Sequence, residues 1–440
     1  MPTKDLHNFV HWFRESSPYI HRFRRQTFVI AFGGEVVADG HMHRLAHDLA
    51  LLNSLGINVV LVHGAAGQID ALLAQAGLSS QRVGGRRITE LAVLPHVKAA
   101  VGQVRLEVEA ALSQGLANSP MEGARVRISG GNFVLAQPLG VLDGVDFQHT
   151  GRVRRVDAPA VQHHLDLDEI VLLSPIGYSP TGEIFNINAE ELATEAALAL
   201  NAAKLIFLTE HSGLPDDAGG ILRQLTISET QGYLDRHPAL PDDLKQHLHS
   251  ALRACAGGVP RVHLISRLLD GALLLELFSR DGCGTLISSD PFENIRPATI
   301  HDVGGIIELI EPLEAAGVLV KRSRELLEME IGHFVVVERD GQVIACAALF
   351  PYAADGLGEL ACLAVHPDYR RQGRGDQVLQ YIVQKARQQG LRGLFVLTTQ
   401  TAHWFAERGF QPADIDALPM PRQQLYNFQR RSKVFVKPLA

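Results

Sequence analysis

A chain of 440 residues, 46% hydrophobic and 20% charged, has the composition of a folded globular protein of two or three domains and not of a disordered or fibrous one. Its net charge of −7 arises entirely ahead of Pro291, and the remainder is balanced, so neither part carries the basic surface of a nucleic-acid binder. No run reaches the ~18 apolar residues of a membrane span, the N-terminus lacks the layout of a signal peptide, and four cysteines without a CxxC pair suit a reducing cytoplasm rather than a disulfide or zinc framework.

Leu6, Phe9, Val10 and Phe13 fall at helical spacing, which predicts an amphipathic helix over residues 1–20, ended by Pro18. From Thr27 short apolar runs alternate with helical stretches: TFVIAF, INVVLV, EIVLLSP, AKLIFLTE and RVHLIS read as strands. This is the pattern of an α/β domain with a mainly parallel sheet, whose ligands sit at the C-terminal strand ends. The glycine-containing and polar run SRDGCGTLISSDPFENIRPATIHD predicts a linker at 289–296 between a first domain over 21–288 and a second over 297–440. In the second, the order becomes helix, a hairpin turning at Asp340-Gly341, strand, helix, strand, helix, strand: an α+β arrangement with a mixed sheet.

The chemistry of the second domain is carried by ELACLAVHPDYRRQGRGDQVLQ. A strand ends at Val365, and Arg371-Gln372-Gly373-Arg374-Gly375 then opens a helix. Glycines there let backbone N–H groups reach a pyrophosphate at a helix N-terminus, and the arginines can pair with phosphate oxygens. The R-x-x-G-x-G pattern after V-H-P resembles the acetyl-CoA loop of the GCN5-related N-acetyltransferases. That resemblance implies acetyl-CoA as co-substrate, held by Arg371, Gln372, Gly373, Arg374 and Gly375 and by the backbone of Leu363 and Val365 on a splayed strand. It also implies direct transfer, with Glu359 as base. Many relatives use a tyrosine acid where this chain has Phe405, so a threonine ending LFVLTT takes that role, Thr398 in preference to Thr399.

LVKRSRELLEMEIGHF and LYNFQRRSKV extend the likeness to bacterial N-acetylglutamate synthases. It implies L-glutamate as acceptor, bound by Lys321, Arg322 and Arg422 beside Cys362, which is a pocket-wall residue. It further implies the first step of arginine biosynthesis and feedback inhibition by L-arginine. The first domain, through FVIAFGGE, VVLVHGAAGQID, GGRRIT and FNINAEELATEAA, resembles the amino-acid kinases, N-acetylglutamate kinase above all. Its catalytic lysines are replaced by Ala31 and His247 and an organising aspartate by Glu190, so kinase activity is not expected. Tyr19, Lys204, His263, Glu276, Gly282 and Gly284 match the arginine-binding region of arginine-inhibited kinases, in which the N-terminal helix interlaces dimers into a hexamer. An acetyltransferase for another amino acid or a protein amine is the alternative. The histidines have no cysteine or carboxylate cluster beside them, and no metal site is expected.

Overall fold

The computed structural model describes residues 3–115, 118–216, 219–279, 281–289, 293–339, 342–370, 373–427 and 431–439. The chain divides into two compact units, residues 1–291 and 292–440. The predicted hairpin turn at Asp340-Gly341 lies outside the described residues.

The first unit opens with α1 (Thr3–Phe23), and Pro18 sits inside it instead of ending it. The last turns continue past the proline because Phe23 is buried against Phe28 and Phe278, and Ser16 donates to the Phe278 carbonyl at 3.1 Å. Tertiary packing outweighs the one helical hydrogen bond a proline removes. The chain leaves the helix at Arg25, whose φ of +63° is left-handed.

β1 (Thr27–Phe32), β2 (Asn58–His63), β3 (Ile170–Leu173), β4 (Lys204–Thr209) and β5 (Arg261–Ser266) form the centre of an eight-stranded sheet in the order β5-β4-β1-β2-β3. All of these neighbours are parallel. Alternation along β1 explains the two layers: Phe28, Ile30 and Phe32 enter one core, whereas Val29 and Ala31 enter the other. Helices Met42–Ser54, Ala66–Gln75 and Leu94–Leu112 cover the first face; Ala189–Ala199 and Asp242–Ala256 cover the second. A helix at Ala272–Phe278 follows β5. A smaller four-stranded sheet (Val134–Pro138, Gly151–Val156, Ile176–Tyr178, Ile184–Asn186) is not apparent from the run of apolar segments.

In the second unit, Glu293–Pro297, within the expected linker, is instead an edge strand paired with β6 (Phe334–Arg339). β6 pairs antiparallel with β7 (Gln342–Tyr352), β7 with β8 (Leu357–Val365), and β8 runs parallel to β9 (Gly393–Thr398). Helix Val303–Ala315 packs on one face of this sheet and Arg374–Gln388 on the other. Two features of β8 shape the site. Its ladder to β9 stops at Glu359↔Phe395, so the strands part beyond that rung. Its ladder to β7 slips between Ala361 and Ala364, where Cys362 adopts φ +51°. The bulge puts both Ala361 and Cys362 on the face of helix Val303–Ala315 and turns Leu363 and Val365 to the opposite face. No helix among the described residues is long and apolar enough to cross a membrane.

Candidate functional site

Gly373 precedes helix Arg374–Gln388 as its N-cap with φ +75°, and the Asp376 and Gln377 amides bond back to its carbonyl. A helix start of this kind turns backbone N–H groups and the positive end of the helix dipole toward an anion. Gly375 faces Trp404: a Cβ there would come within 3.1 Å of the indole. Arg374 is turned inward, its guanidinium 4.8 Å from the Tyr369 ring centre and donating to the Tyr369 carbonyl at 3.2 Å. The loop's offering at 374 is therefore backbone rather than charge. Arg371 and Gln372 lie outside the described residues. A Cβ at 373 meets nothing, so Gly373→Ala strains only the backbone, by about 1 kcal/mol. The KM for acetyl-CoA is expected to rise about fivefold with kcat little changed, as steady-state kinetics would record.

Glu359, on the last rung before the strands part, is buried and accepts two hydrogen bonds from Arg422, 2.7 Å from Nε and 3.0 Å from Nη2. The two residues are 63 apart in sequence, and the sequence reading gave them separate roles. Tyr352 shares this neighbourhood: burial, then the charge of Glu359, pushes its hydroxyl up, so it stays protonated. Tyr352 is opposite Leu357, two residues from the Phe350↔Glu359 pair, so strand alternation puts it on the face of Glu359. That alternation was readable in the sequence, but the pairing register was not.

Arg322 is largely covered, its Nε 4.0 Å from Glu330, while Lys321 beside it is exposed. Burial lifts the Cys362 thiol to about 11, opposed by the charge of Arg322, with Glu314 and Glu359 also felt. The thiol is neutral, which excludes a thiolate nucleophile. Arg322, Cys362, Glu359 and Arg422 thus form one electrostatic neighbourhood. Thr398, ending β9, receives the Thr401 amide at 3.1 Å and exchanges a hydrogen bond with the Thr401 hydroxyl at 2.8 Å. Thr399 has a buried hydroxyl with no partner in the structure.

In the first unit a cavity of about 350 Å³ opens at the C-terminal ends of β1, β2 and β4. Glu190 and His247 line it together with Arg82, Arg86, Arg87 and Arg267, and no lysine stands among its described lining residues. Ala31 is buried in the core instead.

A second cluster lies on the other side of β4. The Lys204 ammonium, over the rings of Phe23 and Phe28 at 5.1 and 5.9 Å, is 3.1 Å from His263 Nε2. His263 Nδ1 is 2.7 Å from Glu276, and the other Glu276 oxygen accepts the Cys283 and Gly284 amides at 2.7 and 2.9 Å. This chain fixes the tautomer: Nε2 accepts from lysine and Nδ1–H donates to the carboxylate. Gly282, at φ +61°, lets the loop pass over the Glu276 carboxylate, where a Cβ would come within 2.4 Å. Tyr19 packs beside Phe23, joining α1 to the group.

Burial, then Lys204, pushes His263 down to about 4; burial opposes ionisation of Glu276, yet His263 and the loop amides hold it at about 2. Both shifts favour the deprotonated folded state. Stability of this unit should therefore fall as pH drops from the ordinary histidine value of 6.5 to about 4 for His263, and from 4.5 to about 2 for Glu276. Denaturant titrations across pH should show the upper part of that loss abolished by His263→Gln and the lower part reduced to what the loop amides alone supply. An unchanged upper slope would contradict the assignment.

The amino acid kinase family model matches residues 26–266, and the acetyltransferase (GNAT) domain model matches 330–412. An amino-acid acetyltransferase of Azotobacter vinelandii is 53% identical over 434 residues, covering 99% of this chain and all of its own. That of Ralstonia nicotianae is 50% identical over 438 residues, covering 100% and 97%. The crystal structure of N-acetylglutamate synthase from Neisseria gonorrhoeae complexed with coenzyme A and L-arginine superposes with TM-score 0.90 at 39% identity, over 98% of this chain and 99% of that one. A second, complexed with coenzyme A and N-acetyl-glutamate, gives 0.63 over the same shares. Likeness along the whole chain, with both domain types in order, gives the family: this chain belongs to the amino-acid acetyltransferases and is an enzyme that transfers an acetyl group to an amino acid.

Proposed function

We propose that the acceptor is L-glutamate and the donor acetyl-CoA, in the first step of arginine biosynthesis in the cytoplasm, with L-arginine as feedback inhibitor. The observation that carries the acceptor is the Arg422 fork on the buried Glu359 at the last rung before β8 and β9 part, with the charge of Arg322 felt at Cys362 three residues further along β8. A dicarboxylate needs arginine forks, and a carboxylate base stands among them. Glutamate's amine attacks the acetyl carbonyl carbon. Glu359 takes the amine proton, the C–S bond breaks, and Thr398 protonates the leaving thiolate. The Thr401 amide donates to the Thr398 oxygen, and with Thr401 supplying its hydroxyl proton to the same oxygen the Thr398 proton would be the one given to the thiolate. Arg422 binds one acceptor carboxylate after releasing Glu359; Arg322, with Lys321, serves the other. Donor binding falls to Leu363, Val365 and the loop 371–375.

In this reading residues 21–288 are an arginine sensor without kinase chemistry, 297–440 the transferase, and 1–20 the assembly helix. The exposed Phe9, Val10 and Phe13 on α1 support a hexamer of interlaced dimers, because such a face is otherwise left in water. CoA release from acetyl-CoA with L-glutamate, with and without L-arginine, is the test. Release that requires glutamate and falls with arginine supports both halves. Release indifferent to arginine removes the sensor assignment, and release only with other amines removes the acceptor assignment.

A further inference from the structure

The start of helix Arg374–Gln388 is where the pyrophosphate of the donor is to sit, yet that start carries an acid. Asp376, in the first turn, suits the bare helix, because its carboxylate meets the positive end of the dipole. For a helix that receives a pyrophosphate it is a like charge in the same turn, and it competes for the same field. How well the loop holds an anion therefore depends on what becomes of that charge.

A residue from another element meets it. Arg408 lies just past the short helix Ala402–Ala406 and 32 positions from Asp376, and it grips the carboxylate with two prongs. Nε donates to one oxygen and Nη2 to the other, the latter at 3.0 Å. The guanidinium holds the Asp376 carboxyl below its ordinary range, so the pair is ionised. Nη1 donates to the Trp404 carbonyl at 2.9 Å and to Glu407 at 3.2 Å, so four acceptors take up the five N–H donors. The guanidinium carbon also rests 4.0 Å from the centre of the Trp404 ring, the same indole that closes on Gly375. Lys437 fixes the backbone beneath it, donating to the Arg408 carbonyl at 2.6 Å. A guanidinium so committed has little left to give a phosphate directly. Its geometry suits cancelling the charge of Asp376. Glu407, with a side chain 71% exposed, is screened by water and needs no such cancellation.

We propose that Arg408 is a positioning residue for the donor: its ion pair cancels the Asp376 carboxylate that would otherwise repel the CoA pyrophosphate from the helix start. The proposal rests on the assignment of the loop 371–375 to donor binding, and adds to it a residue outside the loop motif. The effect is electrostatic and acts through Asp376, without contact between Arg408 and the cofactor.

The test is titration calorimetry of the full chain with CoA, at low and high salt, on the parent, Arg408→Met, Asp376→Asn, the two combined, and Gly373→Ala. Arg408→Met should weaken CoA at least about tenfold at low salt and less at high salt, because a like charge has been uncovered. Asp376→Asn should tighten CoA about threefold or more, because Arg408 then has charge to spare. The double variant should return to within about threefold of the parent. A merely structural ion pair gives the opposite sign for Asp376→Asn, and that isosteric variant keeps the test readable if Arg408→Met fails to fold. Weakening by Asp376→Asn, or a double variant no better than Arg408→Met, overturns the proposal. So does a loss in Arg408→Met that disappears with dephospho-CoA, which keeps the pyrophosphate. Gly373→Ala separates the two levels of the reading. Unchanged CoA affinity there removes the loop assignment and the proposal with it, whereas weakening confined to Gly373→Ala removes only the role of Arg408.

Discussion

Glu359→Gln is expected to lower kcat with L-glutamate by about 10²–10³-fold, the usual worth of a positioned general base. The amide keeps the size of the carboxylate and can still accept one hydrogen bond from Arg422, so the change removes a proton acceptor more than a shape. It also leaves a largely covered guanidinium with half its partnership, since Arg422 and Glu359 have side chains only 18% and 11% exposed. A loss of stability on the order of 1–3 kcal/mol should accompany the kinetic loss. Arg422→Gln should differ in kind: KM for glutamate rises, because a carboxylate fork is lost. The reason to expect both effects at one place is that Arg422 occupies both oxygens of Glu359. An acceptor carboxylate that takes over Arg422 frees the base at the moment the amine arrives. Steady-state kinetics with denaturant melts of both variants separate these contributions. A Glu359→Gln enzyme with kcat within threefold of the parent would remove Glu359 from the mechanism.

The sequence shows where elements lie far better than it shows what their side chains touch. β1, β2, β4 and β5 are short apolar runs bounded by polar or glycine-containing turns, and each forms where the pattern put it. The glycine loop ahead of helix Arg374–Gln388 was readable for the same local reason: Gly373 alone tolerates φ +75° cheaply. What stayed hidden depends on register and distance. Cys362 in a left-handed bulge has no sequence signature, since nothing in ELACLAV marks which residue is extra. Arg374 looked like a phosphate ligand by spacing, but a tyrosine five residues earlier turns its guanidinium inward. Pro18 read as a stop, and only the aromatic packing of Phe23 explains why the helix continues. The small sheet at 134–186 was missed because its strands are short and half exposed, so period-two alternation barely registers.

Lys204→Met should raise the L-arginine concentration needed for half-maximal effect by about 10–100-fold, the worth of one charge-assisted hydrogen bond of about 1.5–3 kcal/mol. Methionine keeps the apolar stem that rests on Phe23 and Phe28 and removes only the ammonium. The His263–Glu276 contact and the two amides that Glu276 accepts from Cys283 and Gly284 remain, so the loop stays in place. Glu276→Gln would be a poorer probe, because with its oxygen kept for the two backbone N–H groups its amide NH2 would point a donor at the His263 Nδ1–H. Lys204 donates a hydrogen bond to His263 Nε2, and both Glu276 oxygens are engaged, one by His263 and the other by the loop amides. In the proposed sensor, arginine would bind by exchange: its carboxylate would replace the imidazole as the partner of Lys204, and its cationic groups would compete for Glu276. Titration calorimetry with L-arginine, alongside the arginine dependence of CoA release, would detect the shift in both binding and effect. Unchanged affinity would move the arginine site away from this cluster. Unchanged affinity with a lost kinetic response would keep the site there and give Lys204 a role in coupling instead.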